Sequence, residues 1–167
     1  MSEMNLQNSF EEFCKQNKFE INTQQIQIIN SLDRFLHQRQ NFLSFFFKKK
    51  KKFCFYLYGK VGVGKTMLLN FAFNNLKIKK SRQHFNEFMI NFHDFKYKKK
   101  DENTIRTFVK KLKKEYDLIY LDEFQVNNTA DTKILTKLLK IILQENIKII
   151  ITTNTLLNAL YKDGLQR

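Results

Sequence analysis

Three of the four glycines in this chain fall at positions 59, 62 and 64. They sit in Gly59-Lys60-Val61-Gly62-Val63-Gly64-Lys65-Thr66. An apolar run, Phe53 to Tyr58, precedes this segment, and the pattern after it reads as a helix from Lys65 to about Asn75. The spacing fits G-x-x-x-x-G-K-[ST], in the strand-then-helix context that pattern requires. A sequence that otherwise avoids glycine places it where the backbone must approach something closely. In such loops the N–H groups and the helix N-terminus surround phosphate. Lys65 is therefore expected to contact the β- and γ-phosphates of a nucleotide, and Thr66 to ligate Mg²⁺. A purely structural turn would not explain why the glycines concentrate here.

The rest of the chain repeats the strand-and-helix alternation. Asp117 to Leu121 reads as a strand, Ile134, Leu135, Leu138, Leu139 and Ile142 recur with helical period, and Ile147 to Thr152 is rich in β-branched residues. A less distinct second strand is expected over Gln83 to Phe88. Helical segments follow it, with Lys98 to Lys100 marking an exposed turn. The order predicts a parallel sheet with helices on both faces and ligands at the C-terminal ends of the strands. Upstream, Ile26, Ile29, Leu32, Phe35 and Leu36 predict an amphipathic helix over Thr23 to Gln38, with Thr23 as candidate cap. Lys48 to Lys52 is a like-charge run that predicts a solvated loop before the first strand, with an anion-binding patch as the sharper reading.

Two further strand ends carry chemistry. Leu118-Ile119-Tyr120-Leu121-Asp122-Glu123 is an apolar strand ending in paired carboxylates. Alone such a pair is as readily a turn and helix cap. Beside a phosphate loop it forms a Walker B arrangement, with Asp122 holding Mg²⁺ through water and Glu123 as general base toward an attacking water. Ile149 to Asn154 ends in an amide, so Asn154 is the candidate that orients water or a γ-phosphate oxygen, although Asn is also an ordinary turn residue. His84 and His93 have no acidic or cysteine neighbour at metal-ligand spacing and read as packing or surface residues. His37 receives no role.

Composition bounds the remaining choices. At 167 residues with 43% hydrophobic content, the chain suits one globular domain, and no apolar stretch reaches the roughly 18 residues of a membrane span. Met1 to Phe10 lacks secretory and mitochondrial-import patterns, so the protein is expected to work where it is made. Cys14 and Cys54 stand far apart and read as small apolar fillers in a reducing compartment. The net charge of +14 points toward an anionic partner. However, the abundance of Phe, Lys, Asn, Ile and Tyr, with no Pro or Trp, fits drift toward A and T codons, which discounts the charge as evidence and hints at an organelle or endosymbiont.

Together the motifs resemble the ZapE and lactation-elevated (AFG1-like) family of AAA+ ATPases. The resemblance rests on Tyr56-Leu57-Tyr58-Gly59 running into the phosphate loop, on His84-Phe85 with Phe88-Met89 and His93, and on Leu121-Asp122-Glu123-Phe124-Gln125-Val126 followed by Ala130-Asp131. It extends to Leu160-Tyr161-Lys162-Asp163-Gly164-Leu165-Gln166-Arg167, and so covers the chain from about Ile21 onward. It implies a P-loop NTPase core over 48–167 behind an N-terminal helical segment over 1–47. The implied ligands are ATP and Mg²⁺, and the implied assembly is a ring-like oligomer. Arg167 is the residue that the resemblance would send to a neighbouring subunit's γ-phosphate, against the plainer reading of a surface arginine.

Measured against the family, the chain stops before a fifth strand, a second sensing arginine and a helical lid. It also has Asn154-Thr155-Leu156 where relatives have Asn-Arg-Pro, Asn86 where they have His, and a shorter connection before Asp117. These departures bear on turnover more than on nucleotide binding. An open apolar edge beside Phe53 to Tyr58 is then expected, to be completed by a separately encoded C-terminal half.

Three readings follow. The leading one is an ATPase module acting on a protein partner in cell division or membrane-protein quality control, as a homo-oligomer or with that second half, and with peripheral membrane association among its expected contacts. It would work in a bacterial or endosymbiont cytoplasm or a mitochondrial matrix. The second is a helicase-loader-type ATPase acting with nucleic acid, less favoured. The third is a nucleotide-binding scaffold without turnover.

Overall fold

The two runs richest in aliphatic residues form the centre of a sheet. In a computed structural model, which describes residues 6–37, 53–99, 103–126 and 129–155, the strands are β1 (Cys54–Tyr58), β2 (Lys80–His84), β3 (Leu118–Asp122) and β4 (Lys148–Thr153). They pair in parallel throughout, in the order β1-β4-β3-β2. A central parallel strand is covered on both faces and so needs no polar alternation. Accordingly every residue of β3 is buried, as is all of β4 after Lys148. The outer strands are more mixed, and β2 reads Lys-Ser-Arg-Gln-His.

The chain divides into two compact units. The larger contains the sheet with α4 (Phe85–Lys99), α5 (Thr104–Glu115) and α6 (Thr129–Gln144). Its core joins Ile119 and Leu121 of β3 and Ile149 and Ile151 of β4 to residues of these three helices. Phe92 and Phe95 place their rings 5.3 Å from that of Phe108, and Phe88 lies 6.0 Å from it. Each fully buried Phe contributes on the order of 2 kcal/mol by leaving water. The opposite face of the central strands, Leu118, Tyr120, Ile150 and Thr152, is equally buried.

The smaller unit contains α1 (Leu6–Gln16), α2 (Thr23–Leu36) and residues 66–76, which hold all but the first residue of α3 (Lys65–Asn75). Leu6, Phe10 and Cys14 recur every four residues along α1 and are buried. The Phe10 and Phe13 rings lie 5.2 and 5.0 Å from that of Phe71. Asn30 of α2 donates from Nδ2 to Gln7 Oε1 of α1 at 2.8 Å.

Several expectations change. Gln83 to Phe88 is not one strand: β2 ends at His84, and α4 begins at Phe85. The Glu87 carboxylate accepts from the His84 backbone N–H at 3.3 Å, half of a capping box. Phe85, Phe88, Met89 and Phe92 then bury a face at helical spacing. Lys98 and Lys99 lie in the last turn of α4 rather than in a turn between elements, where cations suit a helix C-terminus. The cap of α2 is Asn22, whose side chain accepts from Gln24 N, rather than Thr23. Cys14 is a buried filler, but Cys54 is exposed because β1 is an edge strand. Helix α1 falls within the expected N-terminal helical segment, although no periodicity singled it out. The runs 45–47 and 48–52, Lys100 and 156–167 lie outside the described residues.

Candidate functional site

Because all strands run the same way, the residues that end β1, β3 and β4 emerge on one edge of the sheet. Gly59 follows β1 and its N–H donates to the Thr153 carbonyl at 3.3 Å, tying the start of the loop to β4. Gly62 and Gly64 adopt φ of 83° and 81°, the left-handed region in which a Cβ is strained. At Gly59 the limit is space instead. An added Cβ would lie 3.2 Å from Val63 Cγ2 and 3.3 Å from Lys65 Cδ. The side chains of Val61 and Val63 point outward, 81% and 53% exposed, so the loop is built by its backbone.

Lys65 turns back onto this loop. Its Nζ donates to Gly59 O at 2.7 Å, Lys60 O at 2.8 Å and Asn154 Oδ1 at 2.8 Å. An ammonium has three N–H donors, so these three acceptors satisfy it fully. Lys65 and the amide at the end of β4, singled out separately in the sequence, are thus in direct contact. Thr66 follows Lys65 as the second residue of α3.

Asp122 closes β3 with its side chain 6% exposed. Its Oδ1 accepts a short hydrogen bond from the Thr152 hydroxyl and one from Glu123 N at 3.1 Å, while Oδ2 accepts from an Arg82 Nη at 2.7 Å. Burial pushes this carboxyl upward, but the hydrogen bonds from Thr152 and Arg82, with the charge of the guanidinium, outweigh it and hold the group below the usual aspartate range. Asp122 is therefore ionised at neutral pH. Arg82 also lies over the Tyr120 ring, 5.2 Å from its centroid. Burial pushes the Tyr120 phenol up to about 12, so it stays neutral beside the ion pair.

Glu123 takes φ of 54° and its side chain is 72% exposed. A non-glycine residue in that region is worth notice. The Glu123 side chain stands in solvent, whereas that of Asp122 is buried. Its Oε2 is 3.8 Å from His84 Nδ1 of β2, too long for a hydrogen bond. His93 pairs with Asp131, Nε2 to Oδ1 at 3.2 Å. Both histidines thus have acidic neighbours that sequence spacing did not disclose, although no group of three or more metal-ligating side chains exists among the described residues. Arg167 lies outside the described residues.

Sequence reasoning missed two members of this site, Arg82 and Thr152. For Thr152 a signal existed, since Thr152-Thr153 ends an otherwise aliphatic strand that is buried to its tip. Arg82 stands among lysines and other polar residues on an edge strand, and only the pairing of β2 with β3 brings it to Asp122.

A family model described as AFG1-like ATPase matches residues 4–167. The chain is 35% identical over 126 residues to Lactation elevated protein 1 homolog B of Danio rerio, covering 68% of this chain and 25% of that protein. It is 32% identical over 114 residues to Cell division protein ZapE of Escherichia coli, covering 67% of this chain and 30% of that protein. The matched segment therefore spans under a third of these relatives' length. Among solved structures, AMPPCP-bound DnaA from Aquifex aeolicus superposes with a TM-score of 0.60 at 19% identity, over 90% of this chain and 44% of that one. Domain III of the Thermotoga maritima replication initiation protein DnaA gives 0.58 at 21% identity, over 86% and 57%. At such identities the likeness concerns the fold, that of an AAA+ P-loop ATPase domain.

Proposed function

The chain belongs to the AFG1-like ATPase family, and on that premise we propose that it binds ATP with Mg²⁺ at the Gly59–Thr66 loop and hydrolyses it to act on a protein partner. One observation carries the reading: Lys65 and Asn154 meet at 2.8 Å beside a loop whose glycines hold left-handed backbone, with the ionised Asp122 ending the neighbouring strand β3.

In the proposed mechanism, the loop N–H groups from Lys60 to Lys65 bind the phosphates, and Lys65 exchanges its loop carbonyls for phosphate oxygens. Asp122 fits magnesium held through water, since a buried, ionised carboxylate is a hard oxygen acceptor of the kind this ion's water shell prefers. Thr66, by the motif it completes, is the second expected ligand. Magnesium, when bound, neutralises charge on the phosphates. Glu123, whose side chain is exposed, takes a proton from the attacking water, which Asn154 orients.

Two variants test this. Lys65→Ala abolishes binding of a fluorescent ATP analogue, while Glu123→Gln keeps binding and stops phosphate release. Equal, zero hydrolysis in wild type and both variants, with binding intact in the wild type, would favour a nucleotide-binding scaffold instead. The family relation, with ZapE a cell division protein, is what supports a role in that kind of process.

A second reading draws on charge. Lys110, Lys111 and Lys114 of α5 and Lys133, Lys137 and Lys140 of α6 are exposed, within a chain of net charge +14. A nucleic-acid role predicts binding that weakens steeply with salt. Weak binding at low salt removes it.

A further inference from the structure

The geometry around Asp122 carries an inference beyond nucleotide binding itself, though resting on it. Across the strands β2, β3 and β4, the side chains of Arg82, Asp122 and Thr152 form a continuous polar row. The row lies on the face opposite the helix-packed residues Ile119 and Leu121. The carboxylate is well supplied by the chain itself: Thr152 and the Glu123 N–H hold one oxygen, and Arg82 holds the other at 2.7 Å. Thr152 is 1% exposed and the Glu123 N–H belongs to the backbone, so neither has freedom to leave. Arg82 is different. It sits on an edge strand with its side chain 33% exposed, and among the described residues it is the one cation in contact with the group.

We infer that Arg82 is the internal counter-cation of the nucleotide site, occupying the Asp122 carboxylate in the metal-free chain and exchanged for magnesium when nucleotide binds. A guanidinium and a divalent ion facing one largely buried carboxylate repel each other, and the repulsion is poorly screened where water is excluded. The arginine has somewhere to go, since its plane already lies over Tyr120 and its outer portion faces solvent. Arg82 acts through Asp122 and is a positioning residue. In the empty protein it stabilises a buried charge that would otherwise be unpaired. The same contact raises the magnesium concentration that binding requires, because that contact must be given up first.

The test is the free Mg²⁺ concentration that half-saturates binding of a fluorescent ADP analogue to wild type, Arg82→Met and Arg82→Lys. Arg82→Met lowers that concentration at least about tenfold, the least that a charge-assisted hydrogen bond contributes to such an equilibrium. Arg82→Lys retains a competing cation and stays within about threefold of wild type. A half-saturation unchanged or raised in Arg82→Met overturns the inference, since a merely structural arginine would leave it unmoved or worsen it.

Should Arg82→Met fail to fold, arginine side-chain ¹⁵N spectra of the wild type give the same answer. The Arg82 signal, assigned with Arg82→Lys, shifts on adding Mg-ADP but not on adding ADP in EDTA. A signal indifferent to magnesium overturns the proposal. Wild type that binds no Mg-nucleotide defeats the nucleotide reading and this inference together. Wild type that binds, with Arg82→Met unchanged, defeats this inference alone.

Discussion

Thr152→Val removes one hydroxyl and little else. Thr152 is 1% exposed, and its Oγ1 donates to Asp122 Oδ1, so the change strips a buried carboxylate of one partner while filling nearly the same space. A hydrogen bond to a charged group contributes about 1.5–3 kcal/mol. The Glu123 N–H and Arg82 remain, and the Tyr120 hydroxyl, 3.5 Å from Thr152 Oγ1, is near enough to turn toward the vacated oxygen. The expected loss is therefore about 2 kcal/mol at pH 7, and with a urea slope of about 2 kcal/mol/M the midpoint falls by about 1 M. The pH dependence has a definite sign. Asp122 is held below its unfolded value, near 3.9, so its contribution is complete above about pH 5 and is lost as pH falls through the folded value. The gap between wild type and variant must then narrow on acidification below about pH 4. Urea titrations followed by far-UV circular dichroism at pH 7 and at pH 3.5 measure both. A midpoint shift under about 0.2 M at pH 7, or a gap that does not narrow in acid, would refute the argument that Thr152 stabilises an ionised Asp122.

Other substitutions address separate parts of the account. Gly62→Ala meets no atom within 4 Å, so its cost is the left-handed backbone alone, about 1 kcal/mol, read as a melting temperature lower by about 2–4 °C. Phe92→Ala empties a fully buried position within the Phe88, Phe95 and Phe108 cluster and should cost about 3–5 kcal/mol by chemical denaturation. A loss under about 1 kcal/mol would mean that the α4–α5 core is packed otherwise. Asn154→Ala leaves Lys65 its two loop carbonyls, so ATP binding should hold within about threefold while phosphate release falls at least about tenfold, the effect of losing one positioned donor. Unchanged release would remove Asn154 from the catalytic set.

The central strands and the helix over Thr23–Leu36 were legible because burial on both faces, or along one stripe, leaves a periodic apolar record. Helix α1 was not read, since its buried Leu6, Phe10 and Cys14 are separated by polar residues and one of the three is a cysteine. The β2–α4 boundary failed for a related reason. His84-Phe85-Asn86-Glu87-Phe88 has aromatics that suit a strand, and only the Glu87 contact to the His84 N–H shows that the helix has begun.

Local pattern was enough to read the glycine-rich loop, the carboxylate pair and the parallel α/β class, since in each glycine spacing or strand burial dictates the residue types. Tertiary structure decided who stands beside whom. Strand order β1-β4-β3-β2 puts Thr152 and Arg82 on either side of Asp122 and brings Asn154 to Lys65, across separations of 30, 40 and 89 positions. No local pattern records such pairings, because parallel strands are joined only by long crossover connections, so residues that meet across them lie far apart in sequence.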